Sequence, residues 1–382
     1  MVPATSPRQS VGRTALIHRE LVQLAALVAV AVLAFLVTRA VAMNNRSLSV
    51  RNAAEWYRRG EQLLDAGRTD AAIDAFRRAI VRNRTNRTYL LALSRALTQK
   101  RDYDGARTIL LSIREVTPED AEINLDLARL SAARQDVTEA LRFYHDALYA
   151  PWLPALAEQR RGVRIELIRF LLTHGQPGRA QSELLAAGAD LPDDAPHHVE
   201  LAELLRQAGD ARTALAQFQR ALRVAPDNRA ALVGAGSAAF ETGDYALARS
   251  YLQQVPENVT AVQQFREVAD EVVSRDPIAA RIGAQERRRR LEGDVSYAQE
   301  RLGGCIAQQD RGPSSAEQHV QNDLQTFEHT LQRSVPLDQD SVESGMDLID
   351  RAERAAVGAC GAATAVDQAL LLIARQHGAS SQ

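Results

Sequence analysis

AGRTDAAIDAFRRA, from Ala66 to Ala79, and AGDARTALAQFQRA, from Ala208 to Ala221, are nearly the same phrase written twice, 142 residues apart. Working outward from them, alanine recurs at Ala72, Ala106, Ala140, Ala180, Ala214 and Ala248. Four residues on stand Phe76, Leu110, Tyr144, Leu184, Phe218 and Leu252. Seven residues on stand Ala79, Ile113, Ala147, Ala187, Ala221 and Val255. Five residues before each alanine are Gly67, Arg101, Gln135, Gly175, Gly209 and Gly243. The alanines are spaced 34, 34, 40, 34 and 34 residues apart, so the period is 34 with one six-residue insertion near Pro154–Arg160.

Small, large and small residues at i, i+4 and i+7 share one helix face. The turn before that helix is glycine-rich, and Gly209-Asp210 and Gly243-Asp244 supply a left-handed C-cap followed by an N-cap. Pro118, Pro192 and Pro226 close units, because proline cannot continue a helix. Each unit therefore reads as a hairpin of two helices. A single hairpin cannot bury its apolar face, so the units are expected to stack.

This pattern resembles the tetratricopeptide repeat, a 34-residue unit with Trp, Gly, Ala, aromatic, Ala and Pro at set places. The first unit carries Trp56, Gly60, Gly67, Ala72, Phe76 and Ala79, with Arg84 where proline is usual. Six units fit at 53–86, 87–120, 121–154, 161–194, 195–228 and 229–262; units three and four match least well. The resemblance implies an all-α, right-handed solenoid whose concave surface is lined by the first helix of each unit. It also implies that the fifth and ninth places point into the groove. The fifth places are Tyr57, Leu91, Leu125, Ile165, Val199 and Val233, and the ninth are Glu61, Arg95, Arg129, Arg169, Glu203 and Ser237. Two readings are open for these residues. One is a groove with a basic stripe beside an apolar floor, suited to an extended protein or peptide partner with acidic groups. The other is a set of arginines exposed simply because the chain is rich in them. The chaperone-binding members have Asn at the ninth place; none stands there, so their carboxylate clamp is not carried over.

Before the repeats, Leu21 to Thr38 reads LVQLAALVAVAVLAFLVT, 18 residues without a charge. At ~1.5 Å per residue this spans ~27 Å, close to the hydrocarbon thickness of a bilayer. The segment lacks the polar face of a buried core helix. A retained single-pass anchor over 21–42 is expected, after an N-terminal tail (1–20) and before a linker (43–52). The rival is a cleaved signal peptide, since Ala40-Val41-Ala42 has the form of a cleavage site. Arg8, Arg13 and Arg19 precede the segment and Arg39, Arg46 and Arg51 follow it, so charge alone does not orient it.

Past Val262 the period is lost, and 263–382 reads as a helical bundle that caps the repeats or docks a partner. Helices are expected at Gln263–Ser274, Ile278–Ile306, Ala316–Ser334, Gln339–Val357 and Thr364–His377, with a capping box at Ser315 and Gln318. The Arg287–Arg290 run reads as a solvated face or membrane-facing patch. Cys305 and Cys360 are the only cysteines. They are either a disulfide or two buried thiols; a disulfide would put the body in an oxidising space, the periplasm of a bacterium, with the N-terminus inside the inner membrane.

Formal charge is −2, hydrophobic content 46% and aromatic content 5%. No global field favours nucleic acid, and the composition favours helices over strands. Nucleophile elbows, phosphate loops and metal-ligand spacings are absent from the sequence, and His197-His198 point about 100° apart on a helix. No enzyme, cofactor or metal is expected. The sequence reads as a membrane-anchored scaffold that holds a protein partner in its groove, in a bacterial envelope assembly, secretion or maturation complex. The alternative is that the C-terminal bundle is the active part, binding a small molecule or regulating an enzyme, with the repeats as a targeting arm.

Overall fold

In the computed structural model every regular element is helical, and residues 10–256, 259–308, 312–332, 337–361 and 363–378 are described. The chain divides into two units, residues 1–163 and 164–382.

The first unit begins with α1 (Ser10–Asp65), one unbroken helix of 56 residues. Its apolar stretch has a mean hydropathy of 2.5 over 18 residues and none of that window is buried, so by length and composition it is able to cross a membrane. The expected linker 43–52 is helical, so the apolar stretch runs directly into the first repeat. α1 pairs with α2 (Thr69–Arg82); α3 (Arg87–Gln99) pairs with α4 (Tyr103–Arg114), and α5 (Ala121–Ala133) with α6 (Val137–Leu148). The insertion forms a 3-10 turn at Pro154–Leu156 and then the first turn of the next helix, which begins at Ala157.

In the second unit α7 (Ala157–Thr173, which begins just before the unit boundary) and α8 (Pro177–Ala189) form a hairpin. α9 (Ala195–Gln207) pairs with α10 (Ala211–Val224), and α11 (Arg229–Glu241) with α12 (Tyr245–Leu252). These boundaries follow the 34-residue frame. All six key alanines, from Ala72 to Ala248, are fully buried, and the large residues four places on are at most 3% exposed.

The hairpin turns repeat one device. Gly67, Gly175, Gly209 and Gly243, and also Arg101 and Gln135, have φ between 62° and 86°. This left-handed residue reverses the chain at the end of the first helix. Asp102, Asp136, Asp210 and Asp244 then cap the second helices by accepting backbone N–H bonds. Asn86, Asp120, Asp194 and Asn228 do the same for first helices.

After the repeats come α13 (Gln263–Arg275), α14 (Ala284–Ala307), α15 (Ser315–Leu331), α16 (Gln339–Cys360) and α17 (Ala365–Gly378). They bury one core with Leu291, Val295, Leu302, Leu324, Ile349 and Leu370, which continues onto Tyr245 and Phe240 of the last repeat. Two expectations are corrected here. α14 starts at Ala284, not Ile278, because Pro277 and the left-handed Arg281 (φ 69°) interrupt the backbone before it. The capping box lies one residue earlier than expected: Ser314 caps Glu317, whose carboxylate accepts from the Ser314 N–H. In the Arg287–Arg290 run Arg289 is exposed, while Arg287, Arg288 and Arg290 are half-buried. Arg289 and Arg290 pair with Glu286, while Arg287 and Arg288 donate to the carbonyls of Pro277 and Leu331. Cys305 and Cys360 form a disulfide joining the ends of α14 and α16.

Candidate partner-binding groove

Gly60 faces Phe76 so closely that a Cβ there would lie 2.5 Å from the ring, and this contact draws α2 onto α1. The close pairing turns the other side of α1 toward α3. Between them lies a cleft of ≈ 200 Å³ lined by Tyr57, Glu61 and Leu64 of α1, Arg87, Thr88, Leu91, Ala92 and Arg95 of α3, and Glu122 of α5. The cleft thus brings together the fifth- and ninth-place residues of the first two repeats, Tyr57, Glu61, Leu91 and Arg95.

The floor is apolar and well packed. Tyr57 stacks on Tyr89 with ring centroids 5.0 Å apart and leans on Phe76 at 5.9 Å. Leu91 is buried beside them. Burial pushes the Tyr57 hydroxyl pKa up, and its hydrogen bond to the Glu61 carboxylate adds to the shift. The tyrosine therefore remains a neutral donor over the whole physiological range.

The rim is ionic, and each predicted arginine carries an acid. Arg95 reaches Glu122 at 2.8 Å and Asp126 at 3.2 Å. Arg129 lies 3.9 Å from Asp126. Arg87 bonds Asp120 at 2.8 Å and Glu122 at 2.9 Å. Burial raises the Asp126 pKa, against the pull of Arg95. In the second unit Arg169 reaches Glu200 at 2.6 Å, while Arg206 bridges Glu203 at 3.3 Å and Glu241 at 2.9 Å. The arginines thus stand in ladders of alternating sign. Such pairs fix side-chain geometry more than they add stability, because they are half exposed. Leu125, Val199 and Val233 are half-buried, Ile165 and Ser237 buried.

Sequence reasoning missed the acids. Their signal was a second periodicity: an arginine in the ninth place is answered about 31 residues later by an acid in the sixth place of the next unit, as Arg95–Asp126 and Arg169–Glu200. A second hollow of ≈ 560 Å³, lined by Arg114, Pro118, His145, Asp146, Tyr149 and Pro151, was also not anticipated. His197 and His198 do not converge: His197 bonds Asp194, and His198 bonds Gln217 and Asp193. Among the described residues no three His, Cys, Asp or Glu side chains are grouped to hold a metal.

The bundle contains a buried polar cluster that the sequence did not announce. Tyr297 donates to Asp367 at 2.6 Å and Arg301 reaches the same carboxylate at 3.0 Å. Arg275 pairs with Asp294 at 3.1 Å. Glu353 is fully buried and neither carboxylate oxygen has a hydrogen-bond partner. Burial, reinforced by Asp367, pushes the Glu353 pKa up to about 7; burial likewise pushes Asp294 up to about 7.

Models of the tetratricopeptide repeat match residues 36–89, 63–130 and 199–260. The unmatched stretch between them, 131–198, holds most of unit three and all of unit four, the two that fit the pattern least well. No curated protein matches the chain. Among solved structures, TTC0263, a thermophilic repeat protein of Thermus thermophilus, is 24% identical over 49% of this chain and 99% of its own, with a TM-score of 0.34. YrrB, described as having an unusual peptide-binding site, is 18% identical over 52% and 99%, TM-score 0.40. Pseudomonas aeruginosa PilF is 16% identical over 58% and 96%, TM-score 0.40.

Proposed function

Because this chain is a tetratricopeptide-repeat protein, we propose that it works as a membrane-anchored scaffold that holds an extended protein segment along the first helices of its repeats. Proteins of this repeat type are interaction modules with peptide or protein partners. The observation that carries the proposal is the cleft between α1 and α3. A floor of half-buried Tyr57 beside buried Leu91, rimmed by Glu61, Arg87, Arg95 and Glu122, offers an apolar contact flanked by both signs of charge. An extended segment fits such a surface by burying one side chain on Tyr57 and exchanging partners with the rim arginines. The exchange favours a segment with acidic groups, because a carboxylate can replace Glu122 on Arg95 without leaving the guanidinium bare.

Membrane attachment rests on α1, and the body is assigned to the oxidising side. The bond between Cys305 and Cys360 supports that side, since disulfides persist in such compartments. In a bacterial cell this is the periplasm, with the N-terminal tail inside. Work beside the inner membrane in an envelope assembly, secretion or maturation complex is consistent with this arrangement. The second reading, that the bundle is the active part, draws on Glu353, whose unpartnered carboxyl is a polar group in search of a ligand or a proton.

Capture experiments with the full chain in detergent separate the two. Tyr57→Ala with Arg95→Glu is expected to weaken partner retention about tenfold, ~1.4 kcal/mol, while Glu353→Gln leaves it unchanged. The reverse pattern would transfer the function to the bundle.

A further inference from the structure

The cleft and the bundle do not use one strongly charged surface, at the end of the first unit beside the apolar stretch of α1. The sequence contains no Asp or Glu from Leu21 to Ala54, and none from Ala75 to Arg101. The fold brings these two acid-free segments together. α2 runs back along α1 until its last turn lies beside Ser49, whose hydroxyl donates to the Arg82 carbonyl at 3.1 Å. Arg39 and Arg51 of α1, Arg82 at the end of α2 and Arg84 in the following loop are all exposed. None of these four is ion-paired among the described residues, whereas the groove arginines each carry an acid. Exposed Leu48, Val50 and Val81 lie among them. The nearest acids in sequence are Glu55 and Asp74, and Asp74 is 3.9 Å from Arg77.

The height of this edge follows from helix geometry. From Ala42, the end of the apolar segment, to Ser49 is seven residues of continuous helix, ~10 Å. The headgroup layer of a leaflet is about 5–8 Å thick. The Arg82–Arg84 turn therefore stands just outside the headgroups, within reach of extended guanidinium groups. Because α1 does not break between the two points, the edge is held at a fixed distance along the helix axis from the apolar stretch.

We propose that this edge is a lipid-facing surface that docks on the anionic headgroups of the bilayer α1 enters, seating the first repeat against the membrane. The inference rests on the reading of α1 as a membrane span. A basic residue this close to an anionic leaflet strengthens contact about fivefold, and the effect is screened over a Debye length of ~8 Å.

The test uses the full chain in vesicles of phosphatidylcholine alone or with about one-third phosphatidylglycerol. A fluorophore on Asn83→Cys reports quenching by nitroxide-headgroup lipid; the two native cysteines are bonded to each other and do not compete. Quenching is expected to be about twofold stronger with the anionic lipid, and to weaken with added salt. Arg51→Gln/Arg82→Gln/Arg84→Gln should remove the difference while circular dichroism remains unchanged. Equal quenching in the two lipids overturns the proposal, as does a triple variant quenched like its parent; an acidic protein partner is then the better occupant. Flotation distinguishes the two levels of failure. A chain that does not float with vesicles overturns both the span and the docking edge. One that floats without quenching overturns the edge alone.

Discussion

Arg101 and Gln135 hold left-handed backbone positions that four other repeats give to glycine. A side chain there costs about 1–2 kcal/mol, part of which glycine returns through its looser unfolded state. Arg101→Gly and Gln135→Gly should each raise stability by about 0.5–1 kcal/mol, read as a shift in the denaturation midpoint. Both positions were legible from the sequence, because the 34-residue frame puts them in register with Gly67 and Gly209. Glu353 was not legible. It lies among charged neighbours on α16 and looks solvated until α13, α14 and α17 close over it with Arg275, Asp294, Arg301 and Asp367. Its pKa of about 7 in the folded protein, against an ordinary 4.5, fixes the sign of a pH effect. Below pH ~4.5 the group is neutral in both states and its contribution is fully present. As pH rises toward 7 the unfolded state ionises first, and stability is lost by up to ~3 kcal/mol. Asp294 acts in the same direction. Melting of the full chain should therefore shift downward between pH 5 and pH 8, and Glu353→Gln should flatten that dependence.

At the scale of elements, the hairpins were readable because two periods agree: 3.6 within each helix and 34 between units. The start of α14 was not, since apolar spacing at Ile278 and Ile282 imitates a helix that the Arg281 backbone forbids. Those side chains still serve the bundle; Ile278 packs on its core from the loop. The ionic ladders lay beyond a reading of single units, because each pair joins one repeat to the next. The disulfide ties α14 to α16 across 55 residues of sequence, enclosing all of α15. In the chain-entropy picture such a loop closure stabilises by about 4 kcal/mol. Cys305→Ser/Cys360→Ser should lower the stability of the bundle by that order while the N-terminal hairpins keep theirs. Hydrogen exchange resolved by segment checks this: faster exchange in α14–α16, unchanged exchange in α2–α6.

For the chain as a whole, the membrane reading and the binding reading meet in α1. The sequence separated an anchor, a linker and a first repeat. Composition changes at those points, from apolar to polar and then to amphipathic, but helical backbone does not need to break where composition changes. Between Ala42 and Ser49 stands neither Gly nor Pro to interrupt the helix. The result is a single rod whose lower part is long and apolar enough to cross a membrane and whose upper part is the wall of a cleft. Tyr57 stands fifteen residues beyond Ala42, a rise of ~22 Å and slightly more than four helical turns. With the apolar part of α1 as the proposed membrane span, its compass bearing is set by the faces of the helix within that span. Any neighbour that grips those faces would also decide which way the cleft looks, because a twist applied to the apolar part of α1 arrives at Tyr57 without slack.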